Sequence, residues 1–216
     1  MLATEMIVEM SDHGFSDLTD LRALSFLNDT YYEFCSLEVW PFLETTNASV
    51  LTVVGNPILT NMPADWRAVL NILNTTTGNF LSPERRETIE KRFSIYMLTR
   101  GEPVWYYRLG NTIKLYNVPD AVYTLSVDYV KRPAALTTPT TGGSDSSPIF
   151  PVDHHRLLVL GALAKANAME DDPTTAQYFD GLYQAKIQKV RADLWGWQYD
   201  RPDRIIDIFE NDAFDY

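Results

Sequence analysis

Apolar positions along this chain follow two different rhythms, and the switch between them divides the sequence. From the start to about Glu44 the spacing is helical, with Leu24, Leu27, Tyr31 and Phe34 on one face and Trp40 ahead of a stop at Pro41. From Thr45 the pattern turns to strands. Residues 49–54 and 58–60 read as a strand and its return around the turn Gly55-Asn56-Pro57, and Val69, Asn71 and Leu73 alternate within 67–73. Residues 75–79 form a loop. Ser82-Pro83-Glu84 then opens a short helix to about Ser94, with Ser82 as cap and Pro83 at the first helical position. The clearest strand signal is 104–109 and 112–116 around Gly110-Asn111, a turn that favours positive φ. Tyr123, Leu125, Val127 and Tyr129 then alternate with Thr124, Ser126, Asp128 and Val130, a strand with one apolar face.

The helical rhythm returns over residues 151–197. Pro151 and Asp153 stand at a helix start, and Leu157, Leu158, Gly161, Ala164 and Ala168 keep small or apolar groups at helical spacing. Such a slim face lets a second helix approach at the short end of the usual interaxial range. Glu170, Asp171, Asp172 and Pro173 interrupt the pattern, and Thr174 or Thr175 caps a second helix. Ala176, Phe179, Tyr183, Ile187, Val190 and Leu194 form its narrow apolar stripe. The expected product is an antiparallel helical hairpin.

The predicted fold class is therefore α+β: an antiparallel helical bundle from residues 1–44 and 151–197, with a small antiparallel β-domain and one short helix inserted at 45–136. Residues 137–150, with the run TTPTTGGSDSSP, are too polar and glycine-rich to pack and are expected as an exposed connecting loop. In the tail, 198–216, Tyr199, Ile205, Ile206, Ile208, Phe209, Phe214 and Tyr216 stand among acids without a helical period. A segment of this kind docks on a partner or folds back on its own β-domain.

Composition narrows the function classes. With 216 residues, 45% of them hydrophobic and 22% charged, the chain can bury an ordinary globular core. One cysteine, Cys35, excludes an intrachain disulfide and a zinc thiolate cluster, and its apolar surroundings suggest a buried, inert thiol. No stretch approaches the roughly 20 apolar residues of a membrane span, and MLATEMIVEM lacks the basic and apolar regions of a secretion signal. The net charge of −11 opposes nucleic-acid binding, which draws affinity from counterion release by Lys and Arg. Arg85, Arg86, Lys91 and Arg92 interleave with Glu84, Glu87 and Glu90, as on a solvated helix face. In the first arm Arg22 is the one Lys or Arg against carboxylates that include Asp12, Asp17, Asp20, Asp29, Glu33 and Glu38, so the exposed side is expected to carry one sign of charge. That face is either simply solvated or a wall turned towards a polyanion or a basic partner.

Candidate chemistry is sparse. His154 and His155 project about 100° apart on a helix, so they do not share one metal there; a helix start is the expected role. The motifs of nucleophilic hydrolases, phosphate-binding loops, dinucleotide sites and zinc proteases are absent from the sequence. A carboxylate pair for glycoside hydrolysis is the one enzymatic alternative that sequence spacing leaves open. No catalytic residue, metal ligand or cofactor is nominated, and a non-enzymatic role is expected.

The order of motifs resembles phage head-to-tail connectors or adaptors, the tail tubular protein A-like group. The resemblance rests on Met62-Pro63-Ala64-Asp65 leading into a strand, Gly101-Glu102-Pro103, the run Gly110-Asn111-Thr112-Ile113-Lys114-Leu115-Tyr116, and Val118-Pro119-Asp120 followed by Tyr123-Thr124-Leu125. It continues through Tyr129-Val130-Lys131-Arg132-Pro133 and Gly161-Ala162-Leu163-Ala164-Lys165-Ala166 and covers nearly the whole chain; Asn117 departs from the proline more usual before the Val118 turn. What the resemblance implies is a structural virion protein of the neck and tail, assembled in the host cytoplasm. It would form a homo-oligomeric ring of about twelve subunits joining portal to tail tube or nozzle, with tail fibres as a further candidate partner. DNA would pass through without specific binding, and no membrane is involved. In that setting Gly161, Ala164, Ala168, Phe179 and Tyr183 are expected to pack the ring, Asp17, Asp20, Asp29 and Glu33 to face the channel, and the tail's apolar residues to meet the portal or a neighbouring subunit. A completion or stopper protein with tail-side contacts is the alternative within the same class.

Overall fold

The computed structural model describes residues 1–15, 18–92 and 99–195. Within it the chain makes two compact units: Met1–Pro41 with the segment from Ala134 onward, and the contiguous stretch Phe42–Pro133. Among the described residues the α-helices lie in the first unit apart from one short one, and the strands lie in the second, so the α+β class holds.

The helical unit starts with α1 (Ala3–Asp12) and α2 (Asp20–Leu37). The single helical run read from the sequence is thus two helices, broken at Gly14, whose φ of 102° lies where residues with a Cβ are strained. The predicted face of α2 is the buried one: Leu24, Leu27, Tyr31 and Phe34 point inward with Cys35. Trp40 is fully buried, donates its indole N–H to the Phe34 carbonyl at 2.9 Å and packs 4.8 Å from the Phe34 ring.

The second unit holds β1 (Glu44–Leu51), β2 (Ile58–Leu59), β3 (Trp66–Asn74), β4 (Asn79–Phe80), β5 (Ser82–Pro83), α3 (Arg86–Arg92), β6 (Trp105–Leu109), β7 (Thr112–Tyr116) and β8 (Thr124–Lys131). Two four-stranded sheets, ordered β1-β8-β3-β4 and β2-β7-β6-β5, share one core that includes Val50, Ile72, Tyr106, Ile113, Leu125 and Val127. The predicted β6–β7 hairpin pairs Trp105 with Tyr116 and Leu109 with Thr112, and β8 buries Leu125, Val127 and Tyr129 as its alternation requires.

Two readings are corrected here. The strands on either side of Gly55-Asn56-Pro57 are not partners: β1 pairs with β8 and β2 with β7, in different sheets. A turn signal shows where the chain bends, and strand pairing depends on contacts about 70 residues away in sequence, such as Leu51 with Thr124. Ser82 and Pro83 also do not start α3. They pair in parallel with Trp105 and Tyr106, the one departure from antiparallel pairing among the named strands, and the helix begins at Arg86.

The helical unit is completed by α4 (Arg156–Met169) and α5 (Pro173–Trp195). Helix α4 is entered through a 3-10 turn at Val152–His154, with no side-chain cap. Asp172, rather than Thr174 or Thr175, caps α5, accepting the Thr175 N–H at 3.2 Å; Pro173 occupies the first turn, where its missing N–H costs nothing. The Thr175 side chain, and after it the Thr175 backbone N–H, hold the Asp172 carboxyl below its usual range.

Residues 137–150 are exposed along their middle, yet they do not hang free. Asn28 of α2 clamps the Leu136 backbone on both sides, at 3.1 and 2.7 Å, and the Tyr31 hydroxyl accepts the Ile149 N–H at 3.0 Å. Ala3 donates to the Ser146 carbonyl at 2.9 Å, and Thr4 bonds the Asp145 carboxylate through its backbone and its hydroxyl. Leu136, Thr138 and Phe150 are buried. Composition predicted a loop; what it could not show is that polar groups of α1 and α2 satisfy the backbone of this one.

Candidate interface surfaces

The small-residue face of α4 meets two helices inside its own unit. A Cβ at Gly161 would lie 2.4 Å from the Thr30 methyl of α2 and 3.0 Å from the Tyr183 ring of α5. Gly161 and Tyr183, two of the five residues expected to pack the ring, are buried against their own chain. Ala164, Ala168 and Phe179 lie further out; Phe179 meets the His13 ring edge-on at 5.9 Å. Between α2, α4 and α5 this leaves a groove of about 290 Å³ whose lining includes Ala164, Ala168, Ala176 and Tyr183, with Glu33, Lys165 and Asp180 at its polar positions. The Tyr183 hydroxyl has no hydrogen-bond partner among the described residues, and burial, with the Glu33 carboxylate nearby, raises its pKa. Burial likewise pushes the Tyr31 hydroxyl up to about 12.

The acidic arm is not bare. Glu9 pairs with Arg156 at 2.7 Å, Glu33 with Lys165 at 2.8 Å and Glu38 with Arg191 at 2.6 Å, so the second half of the chain supplies the cations that the first lacks. Of the four acids expected to face a channel, Glu33 is therefore ion-paired, which corrects the picture of a face with one sign of charge. Asp29 is exposed, Asp20 is exposed and 3.4 Å from the Thr140 hydroxyl, and Asp17 lies outside the described residues. All seven tail residues nominated, from Tyr199 to Tyr216, also lie outside them.

The histidine pair is structural in its contacts. His155 Nε2 faces the Phe150 carbonyl at 2.8 Å, which calls for a proton on Nε2, and Nδ1 faces both the Met1 amino group at 3.1 Å and the Met1 carbonyl at 3.2 Å. Burial lowers its pKa. His154 Nε2 lies 3.6 Å from the Asp193 carboxylate. Among the described residues no three His, Cys, Asp or Glu side chains gather as a metal site, and no helix is long and apolar enough to cross a membrane.

One surface escaped the sequence reading. At one end of the β-unit, Arg108 lays its guanidinium 4.7 Å from the centre of the Trp66 ring and donates to the Gly110 and Arg67 carbonyls at 2.8 and 2.7 Å. Lys131 pairs in the ladder with Trp66, and the Arg132 N–H binds the Asp65 carbonyl at 2.6 Å. Beside them opens a cleft of about 370 Å³ lined by Ile58, Met62, Pro63, Trp66, Asn111 and Arg132 among others. The signal was available in how charge divides along the chain. Phe42–Pro133 holds 10 Lys and Arg against 8 Asp and Glu, a balance of +2, whereas the remainder holds 8 against 21, a balance of −13.

Comparison with known proteins agrees with a structural role. No curated protein matches the chain. A family model described as SU10 adaptor protein matches residues 1–205, nearly the full length. The chain therefore belongs to the SU10 adaptor protein family, a phage adaptor family, and membership carries a structural role in the virion neck or tail in contact with portal and tail proteins.

Proposed function

We propose that this chain is a head-to-tail adaptor of the tail tubular protein A-like kind, assembling as a ring of about twelve copies that joins the portal to the tail tube or nozzle. The observation that carries this reading is the family match over residues 1–205. The architecture supports it: a helical unit built from both ends of the chain and a contiguous β-unit give each copy two separate surfaces, as a head-to-tail contact needs. Asp17, Asp20 and Asp29 line or flank the channel, so that DNA slides past a like-charged wall without sticking. The tail meets the portal or a neighbouring copy through Ile205, Ile206, Phe209 and Phe214. Assembly takes place in the host cytoplasm, and no reaction is performed.

Imaging purified protein with and without its portal tests this directly. Rings seated on portal with an acidic inner wall are the expected result; a monomer that ignores portal, or a ring with a basic lumen, would overturn the reading.

A further inference from the structure

The tail and the basic end of the β-unit match in two chemistries at once. From Ile205 onward the tail carries Asp207, Glu210, Asp212 and Asp215 with no Lys or Arg, interleaved with isoleucine and phenylalanine. The cleft is lined by Ile58, Met62, Trp66 and Arg132; Arg108 adjoins it by stacking on the Trp66 ring, and Lys131 is the ladder partner of Trp66. We propose that residues 205–216 of one copy dock in this cleft on the β-unit of a neighbouring copy, acids against Arg108 and Arg132 and apolar side chains against Ile58, Met62 and Trp66. This rests on the ring reading above and names the surface that closes its head-to-tail contact.

Several observations converge on the tail as occupant. Arg108 is already held by two backbone carbonyls and the face of Trp66, so little side-chain freedom is lost when its remaining guanidinium donors take a carboxylate. Asp65, the carboxylate beside Trp66, is engaged by the Tyr129 hydroxyl at 3.3 Å. A phosphate backbone would use the arginines alone and has no need of the apolar lining. The 21 residues past Trp195 can span at most about 70 Å, a reach that allows contact with a second copy. The balances of −13 and +2 favour unlike units of two copies meeting over like units.

The test uses the full chain assembled with its portal. Asn111→Cys at the exposed lip of the cleft and Phe214→Cys in the tail are combined and oxidised; Cys35, buried, does not compete. The expected result is disulfide-linked multimers on a non-reducing gel. Arg108→Glu with Arg132→Glu, and the milder Arg132→Gln as a check on folding, lower the linked fraction, the double reversal by about tenfold, and added salt does so as well. Links closed within one chain, no links in intact rings, or a double reversal that links as well as its parent would overturn the proposal. So would a reversal that only weakens DNA retention while the links persist. A parent preparation without rings would sink the ring reading and this one with it, whereas rings without links sink this one alone.

Discussion

The two units of this chain are stabilised in different ways. The β-unit is one contiguous stretch whose strands close on each other around a shared core, and its charges nearly balance. The helical unit is assembled from the two ends of the chain, carries a balance of −13 including the tail, and is joined by contacts that cross more than a hundred residues of sequence, from Asn28 with Leu136 to Glu9 with Arg156. The contiguous unit closes through strand pairings up to about 90 residues apart, all of them inside Phe42–Pro133. One closed by its ends depends on the order and spacing of everything between them.

The sharpest way to test that difference is to open the helical core. Trp40→Ala removes a fully buried ring that also caps the Phe34 carbonyl, and should cost about 3–5 kcal/mol in chemical denaturation. Hydrogen exchange should rise in α1, α2, α4 and α5 and stay unchanged in β3 and β8; a uniform rise would show that the two units unfold as one.

Next in size is the close approach at Gly161. Gly161→Ala puts a methyl 2.4 Å from the Thr30 methyl, so overpacking should cost about 1–3 kcal/mol. Thr30→Ser removes that methyl, so adding it should recover part of the loss. An alanine variant as stable as its parent would show that α2 and α4 separate easily.

Acid should distinguish the units by where each begins to weaken. Burial holds the folded pKa of His155 below its ordinary 6.5, so the unfolded chain binds the proton first and stability of the helical unit falls as pH drops from about 6.5 towards that lowered value. Glu102 in the β-unit is also depressed, chiefly by the Thr77 hydroxyl and then by Asn79, but its ordinary value is 4.5. Its contribution is present above that pH and lost only as pH falls through the folded value. Exchange followed from pH 7 to 4 should therefore loosen the helical unit first, and His155→Gln should remove that early step. If the β-unit loosened first, the pH argument for both groups would fail.

The smallest expected effect lies in the acid–base pairs. Glu33 and Lys165 are both substantially exposed, so a double-mutant cycle with Glu33→Gln and Lys165→Met should give about 0–1 kcal/mol of coupling, shrinking with salt. A coupling well above that range would make the pair a main support of the helical unit, which its exposure argues against.

How much was legible beforehand follows from the range of the forces involved. Strand β8, the β6–β7 hairpin and the inward face of α2 were readable because alternation and helical period are local records of which side meets the core. The split of β1 and β2 between sheets, the parallel pairing of Ser82 and Pro83, and the tethering of residues 137–150 were not, because each depends on partners remote in sequence. For the surfaces, the sequence showed an acidic arm and a slim helix. It did not show that Arg156, Lys165 and Arg191 answer those acids, or that Thr30 and Tyr183 occupy the space at Gly161.

By itself the sequence determined the α+β class, the helix–strand–helix order and the surplus of acid outside the strands, since these follow from residue type and spacing alone. Tertiary structure alone decided which charges are neutralised, which small residues are covered, and that Arg108, Trp66 and Arg132 gather beside one cleft. The reason is that an ion pair or a packed ring acts over only a few ångströms. Distances that short between residues far apart in sequence exist only once the chain has closed on itself.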